Sequence, residues 1–159
     1  MKYAFKKGYD AAIQFDGDGQ HRPEYIESMV KTMEDEKMDI VIGSRFVSKK
    51  KGLSPRMLGS RVISFLILLT TGKRVKDPTS GMRLYGKNVL EEFANKINYG
   101  PEPDTITYLL NRGCKIKEVQ VEMDERIAGT SYLNFIGSIR YMIKMCTSII
   151  FVQWFRKRS

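Results

Sequence analysis

Apolar positions fall into short compact runs and longer stripes at helical spacing, and the two kinds alternate along the chain. Tyr3 to Gly8 reads as the end of a helix closed by glycine. Ala11 to Phe15 is a compact apolar run, the pattern of a buried strand. Pro23 then opens a helix to about Lys37, whose Tyr25, Ile26, Met29, Val30 and Met33 share one face. Asp39 to Gly43 is a second compact run, so a helix joins two apolar strands and a parallel crossover is expected. Leu58 to Thr71 is a helix rich in Ile, Leu and Phe, stopped by Gly72. Further helices are expected over Gly86 to Asn98 and Thr105 to Asn111, and a half-exposed strand over Lys115 to Met123. The last segment, Tyr132 to Phe155, spaces Phe135, Ile136, Ile139, Ile143, Ile149, Ile150 and Val152 around Arg140 and Lys144.

The strand at Phe15 ends in Asp16-Gly17-Asp18-Gly19-Gln20-His21. Residues two apart in extended backbone point the same way, so Asp16 and Asp18 can face one target. Two close carboxylates repel unless a cation lies between them, and oxygen ligands suit Mg²⁺ or Mn²⁺. Three other readings compete. Asp and Gly are ordinary residues of a polar turn. An EF-hand would use Asp16, Asp18, Gln20 and Glu27, but His21 stands where that loop needs glycine, Pro23 interrupts it, and a strand precedes it. A metal-free catalytic pair would have to flank a substrate, which neighbouring positions on one strand end do not do. A divalent metal that in turn holds phosphates is the reading carried forward.

A second polar cluster, Lys76-Asp77-Pro78-Thr79-Ser80-Gly81-Met82-Arg83, is built on a turn fixed by Pro78 and Gly81. By itself it serves equally well as a turn capped by its own side chains or as a site. The strand after Asp39 delivers Ser44 and Arg45 to the sheet edge where open α/β folds bind ligands. The basic stretch Ser48 to Arg56 is either a solvated loop or a flap over an anion.

The chain of 159 residues suits one domain, and its formal net charge of +9 points to phosphates or anionic lipid. Nucleic acid is set aside, because the basic residues look scattered and no nucleic-acid motif occurs. Cys114 and Cys146 have no metal-ligand spacing, and no signal peptide is read at Met1. The helix ending at Gly72 has about fourteen residues, too few to span a bilayer, and reads as a core helix or one pressed on a membrane surface. The final segment carries charges in its middle and Tyr141, Trp154 and Phe155 beside Arg156, Lys157 and Arg158. It is read as an amphipathic helix, lying in a lipid interface or packing on the domain with a solvated tail.

Five blocks in this order resemble one known family. They are Gln14-Phe15-Asp16-Gly17-Asp18-Gly19-Gln20-His21, Ile42-Gly43-Ser44-Arg45-Phe46, Arg56-Met57-Leu58-Gly59-Ser60, Asp77-Pro78-Thr79-Ser80-Gly81-Met82-Arg83 and Glu125-Arg126-Ile127-Ala128-Gly129-Thr130-Ser131. The chain is similar to the inverting glycosyltransferases of family 2, and within them to the polyprenyl-phosphate (dolichyl-phosphate mannose synthase-like) sugar transferases. The resemblance implies a partial GT-A fold of the α/β class, a mixed, mostly parallel sheet flanked by helices. It implies that Asp16, Asp18 and Gln20 hold the metal and the diphosphate of a UDP- or GDP-linked sugar, with Arg45 facing the phosphates. Arg56 and Ser60 would hold the phosphate of a polyprenyl phosphate acceptor, Asp77 would shape the sugar and acceptor site, and Arg126 would lie on a closing loop.

The family's opening strands, with their Pro-X-X-Asn-Glu and Asp-Asp-Gly-Ser stretches, have no counterpart here. About the first third of the family domain is therefore expected to be missing, and the open sheet edges invite dimerisation or strand exchange. The expected organisation is a partial catalytic domain over 1–131 and an amphipathic helix over 132–159, at the cytoplasmic face of a membrane. Two alternatives remain at this point. One is transfer to a polysaccharide or envelope glycan; the other is an inactive fragment that serves as a membrane-associated or assembly module.

Overall fold

The computed structural model describes residues 1–17, 19–96, 100, 102–124 and 135–152, with the backbone alone for residues 55, 56, 135, 136, 138 and 152. Helix α1 (Lys2–Lys6) leads into strand β1 (Ala11–Gln14), with Gly8 at φ +76° making the turn that only glycine adopts freely. Helix α2 (Tyr25–Asp35) returns the chain to β2 (Ile40–Ser44), every residue of which is buried. Helix α3 (Pro55–Thr71) starts where the Ser54 hydroxyl accepts from the Met57 amide and Pro55 takes the first turn. It stops at Gly72, which is left-handed at φ +70° and donates its amide to the Leu68 carbonyl. Then come β3 (Arg83–Gly86), α4 (Lys87–Asn95), α5 (Pro103–Asn111), β4 (Ile116–Gln120) and α6 (Phe135–Thr147), followed by a π-helical turn at Ser148–Val152.

The sheet order is β1-β3-β2-β4. Strands β2 and β4 are parallel, and β3 runs antiparallel to both β1 and β2. Three strands therefore share a direction, and β1–α2–β2 is the expected crossover, with β3 inserted between its two strands. Strand β3 itself departs from the sequence reading, which saw only a turn followed by a helix. Its four residues begin with Arg83, buried to within 2% of its surface, whose Nε and Nη2 donate to the Ser80 and Pro78 carbonyls. A buried cation in so short a strand hides the apolar run that would reveal it. Strand β1 also departs: it is half-buried along its length because it forms the edge of the sheet.

Helices cover both faces. On one side Met29 of α2 packs against Val41, Met82, Leu84 and Val121. On the other, Ile63 and Ile67 of α3 join Ile40, Ile42, Tyr85, Val89, Ile106 and Leu109. Met145 and Ile149 are buried in that same cluster, so the end of the chain packs on the domain as far as it is described. Each such aliphatic side chain contributes about 1.5–3 kcal/mol by burial. The expected boundary at 131/132 lies outside the described residues, as does the aromatic and basic tail from Trp154 to Arg158.

Candidate active site

The acidic loop leaves the carboxyl end of β1 and is held from behind. The Asp16 amide donates to His21 Nδ1 at 3.1 Å, and the His21 ring meets Phe15 edge-on at 5.4 Å. His21 also pairs through its backbone with Met123. This histidine therefore braces the loop. The Asp16 carboxylate is exposed and lies against Gly81, where a Cβ would collide with it. Glycine at 81 is thus what lets the acidic loop and the Asp77 turn close on each other.

The turn is anchored on three sides. Asp77 is fully buried; its oxygens accept from Arg45 Nε and Nη2 at 2.8 Å each and from the Arg45 amide at 3.1 Å. Burial alone would raise the Asp77 carboxyl, but the hydrogen bonds and charge of Arg45 outweigh it and hold it below the ordinary carboxylate range. From β4, the Glu118 carboxylate accepts the amides of Lys76 and Asp77, both at 2.7 Å. Ser80 donates to the Gly43 carbonyl at 2.5 Å. Arg45 is thus bound edge-on to Asp77, with its guanidinium over the Phe46 ring at 5.2 Å.

From Asp77 a chain of hydroxyls leads to α3. Thr79 Oγ1 donates to Asp77 Oδ1 at 3.2 Å, Ser60 Oγ lies 3.5 Å from Thr79 Oγ1, and Lys51 Nζ donates to Ser60 Oγ at 2.8 Å. The structure therefore gathers Asp16, Arg45, Asp77 and Ser60 around one turn. The Gln20 amide nitrogen donates to the Asp124 carbonyl at 3.4 Å. Asp18, Arg126 and the remaining loop to Ser131 lie outside the described residues, and of Arg56 only the backbone is described, one helical turn before Ser60.

Two residues of this constellation escape a reading from sequence. Glu118 looks like the charged position of an alternating strand, and Lys51 looks like the third member of a solvated lysine run. Beside them Arg22 forms a two-pronged ion pair with Asp124, and Lys49 bonds Glu122 at 2.7 Å, tying the acidic loop and the basic loop to the end of β4.

Among the described residues no group of three or more His, Cys, Asp and Glu side chains could hold a metal. The exposed Asp16 fits a different arrangement, in which Mg²⁺ keeps one or two protein carboxylates and takes the rest of its ligands from substrate phosphates. Among the described residues the donors thus suit a metal shared with a diphosphate better than a closed, all-protein site.

A mixed sheet with helices on both faces, an acidic loop at one strand end and an arginine-bearing strand beside it make up a partial GT-A fold. The model of glycosyl transferase family 2 matches residues 6–94, more than half of the chain, and the protein belongs to that family. Among curated relatives, the chain is 30% identical over 100 residues to a UDP-N-acetylglucosamine–dolichyl-phosphate N-acetylglucosaminyltransferase of Methanococcus voltae, covering 61% of this chain and 40% of that one. It is 27% identical to an undecaprenyl-phosphate mannosyltransferase of Micrococcus luteus, covering 84% and 57% of the two chains. It is 28% identical to a dolichyl-phosphate hexose transferase of Haloferax volcanii, covering 84% and 60%. The chain spans about half the length of these relatives.

Proposed function

We propose that the protein acts in transfer of a sugar from a nucleotide diphosphate to a polyprenyl phosphate, with inversion, at the cytoplasmic face of a membrane. The observation that carries this reading is the single polar edge on which Asp16, the Arg45–Asp77 pair, Thr79 and Ser60 meet. The names of the relatives support it, since each is a transferase named for a prenyl phosphate. In this reading Asp16, Asp18 and Gln20 hold Mg²⁺ or Mn²⁺, which neutralises charge on the leaving diphosphate when bound. Ser60 and Arg56 receive the acceptor phosphate, and Arg126 closes over both substrates. Asp77 acts by holding Arg45 in place. A lipid monophosphate is already anionic near neutral pH, so its oxygen attacks the anomeric carbon without a strong base. The work left to the protein is positioning and charge neutralisation.

A bilayer surface belongs to this reading. Among the described residues no helix is long and apolar enough to cross a membrane. Yet α3 leaves Leu58, Phe65 and Leu69 exposed, Leu69 by 70%, and Leu53 before it by 91%. Helix α6, packed on α3 where Gly59 meets Met142, leaves Ile139 and Ile143 exposed. A third of the basic residues, which looked scattered, gather in one stretch free of acids: Ile40 to Lys76 carries nine of the 27 Lys and Arg and no Asp or Glu, as many charges as the net +9 of the whole chain. Apolar side chains set among cations suit an anionic lipid surface.

Titration calorimetry with UDP and GDP, with and without Mn²⁺, tests the donor half. Metal-dependent binding that Asp16→Asn abolishes is expected; binding that ignores both the metal and Asp16 would sink the donor assignment. Flotation with anionic vesicles tests the surface, and Leu58→Glu with Leu69→Glu should abolish binding while the protein stays folded.

A further inference from the structure

Lys51 is an ammonium held among hydroxyls. It is half-buried, donates to Ser60 Oγ at 2.8 Å and Ser64 Oγ at 3.3 Å, and lies over the Phe46 ring at 5.3 Å. Its neighbours in the same lysine run and turn find other partners. Lys49 is exposed and pairs with Glu122, and Lys76 donates to the Val47 carbonyl at 2.8 Å. Among the described residues no carboxylate comes within ion-pair distance of Lys51. Hydroxyls satisfy its hydrogen bonds and leave its charge unbalanced, which is costly away from water. Burial accordingly pulls its pKa below the ordinary lysine value, against the more distant attraction of Asp77 and Glu118. A site that spends free energy on an unbalanced cation is prepared for an anion.

We propose that Lys51 is the ion partner of the acceptor phosphate, binding it jointly with Ser60. This rests on the acceptor reading given above and adds to it a residue that the family blocks do not contain. Three features favour the acceptor over the donor diphosphate. Among the described residues Lys51 bonds α3 and not the acidic loop. The hydroxyl chain through Ser60 and Thr79 connects it to the Arg45–Asp77 pair. Leu53, two residues along, is 91% exposed and starts the apolar surface on which a prenyl tail can lie. A phosphate monoester has several acceptor oxygens for an ammonium and a serine hydroxyl to share.

The test uses the whole chain with Lys51→Met, Lys51→Arg and the wild type. Binding is measured to phosphatidylcholine vesicles doped with polyprenyl phosphate, to vesicles doped to equal charge with phosphatidylglycerol, and to inorganic phosphate as competitor. Lys51→Met should lose about tenfold in affinity for the polyprenyl phosphate vesicles and nothing for the phosphatidylglycerol vesicles. Lys51→Arg should keep most of the affinity, and millimolar inorganic phosphate should compete only where Lys51 or its arginine substitute is present. The melting temperature of Lys51→Met should be unchanged or raised, since a buried unbalanced charge has been removed. Equal affinity of Lys51→Met and wild type, equal losses on both vesicle types, or a clear fall in melting temperature would each overturn the assignment, the last by making Lys51 a structural clamp. A wild type that does not prefer polyprenyl phosphate vesicles would overturn the acceptor reading first and this inference with it.

Discussion

Asp16 and Asp77 sit on either side of Gly81 and are opposites in every physical respect. Asp77 is sealed from solvent, and its oxygens are filled by one arginine, its amide and a threonine. Asp16 is exposed, and what the structure organises is its backbone, through His21. A carboxylate with all its acceptors satisfied by the protein holds structure; the exposed one is the carboxylate that the proposed function leaves for a ligand. The family motifs mark both residues in the same way, so only the geometry tells the scaffold from the contact.

The largest expected effect that follows is on stability. Asp77→Ala strands Arg45 half-buried and should cost about 3–5 kcal/mol in chemical denaturation, the range for a buried pair broken from one side. Asp16→Ala should stay within about 0.5 kcal/mol of wild type. Comparable losses at both would erase the distinction. Acid sharpens it. The Asp77 carboxyl lies lower in the folded protein than the ~3.9 of an unfolded chain, so its contribution is complete above about pH 4 and drains away as pH falls through the folded value. Denaturation midpoints should therefore decline below about pH 4, and Asp77→Asn should flatten that decline. A smaller effect is expected at Gly81→Ala. The added Cβ meets the end of a movable side chain, so stability should change by less than about 1 kcal/mol, while displacement of Asp16 weakens metal-dependent UDP or GDP binding. Smallest of all, Arg22→Ala breaks a surface pair with Asp124 and should leave the melting temperature within error.

Much of the scaffold was legible in the chain because its signals are local. Gly72 closes α3 by capping chemistry and the buried run at Ile40 marks β2 without any partner, whereas the start of α3, read at Leu58, lies three residues earlier at Pro55 behind the Ser54 cap. Strand β3 was not legible, since its four residues take their identity from pairing with β1 and β2, and Arg83 breaks its apolar pattern. The site divides along the same line. Asp16, Arg45, Ser60 and Asp77 could be named as blocks, yet the bond between Arg45 and Asp77 joins residues 32 apart and exists only because β3 is inserted beside β2. Lys49 and Lys51 are indistinguishable in a run of lysines. One turns out to Glu122 and the other in to Ser60, a difference set by the path of the loop over α3.

The separation of charge along the chain is also a separation in space. Helix α2, on one face of the sheet, is framed by Glu24, Glu27, Glu34, Asp35 and Glu36 against Lys31 and Lys37, while the acid-free stretch that includes α3 packs on the other. The molecule is therefore an electric dipole directed through its sheet. Near a negatively charged plane it experiences a torque before it makes contact, and the end that arrives first is α3. That torque acts over roughly a Debye length, about 8 Å at physiological ionic strength, so on the proposed membrane reading salt should slow arrival far more than it loosens the apolar contact that would follow.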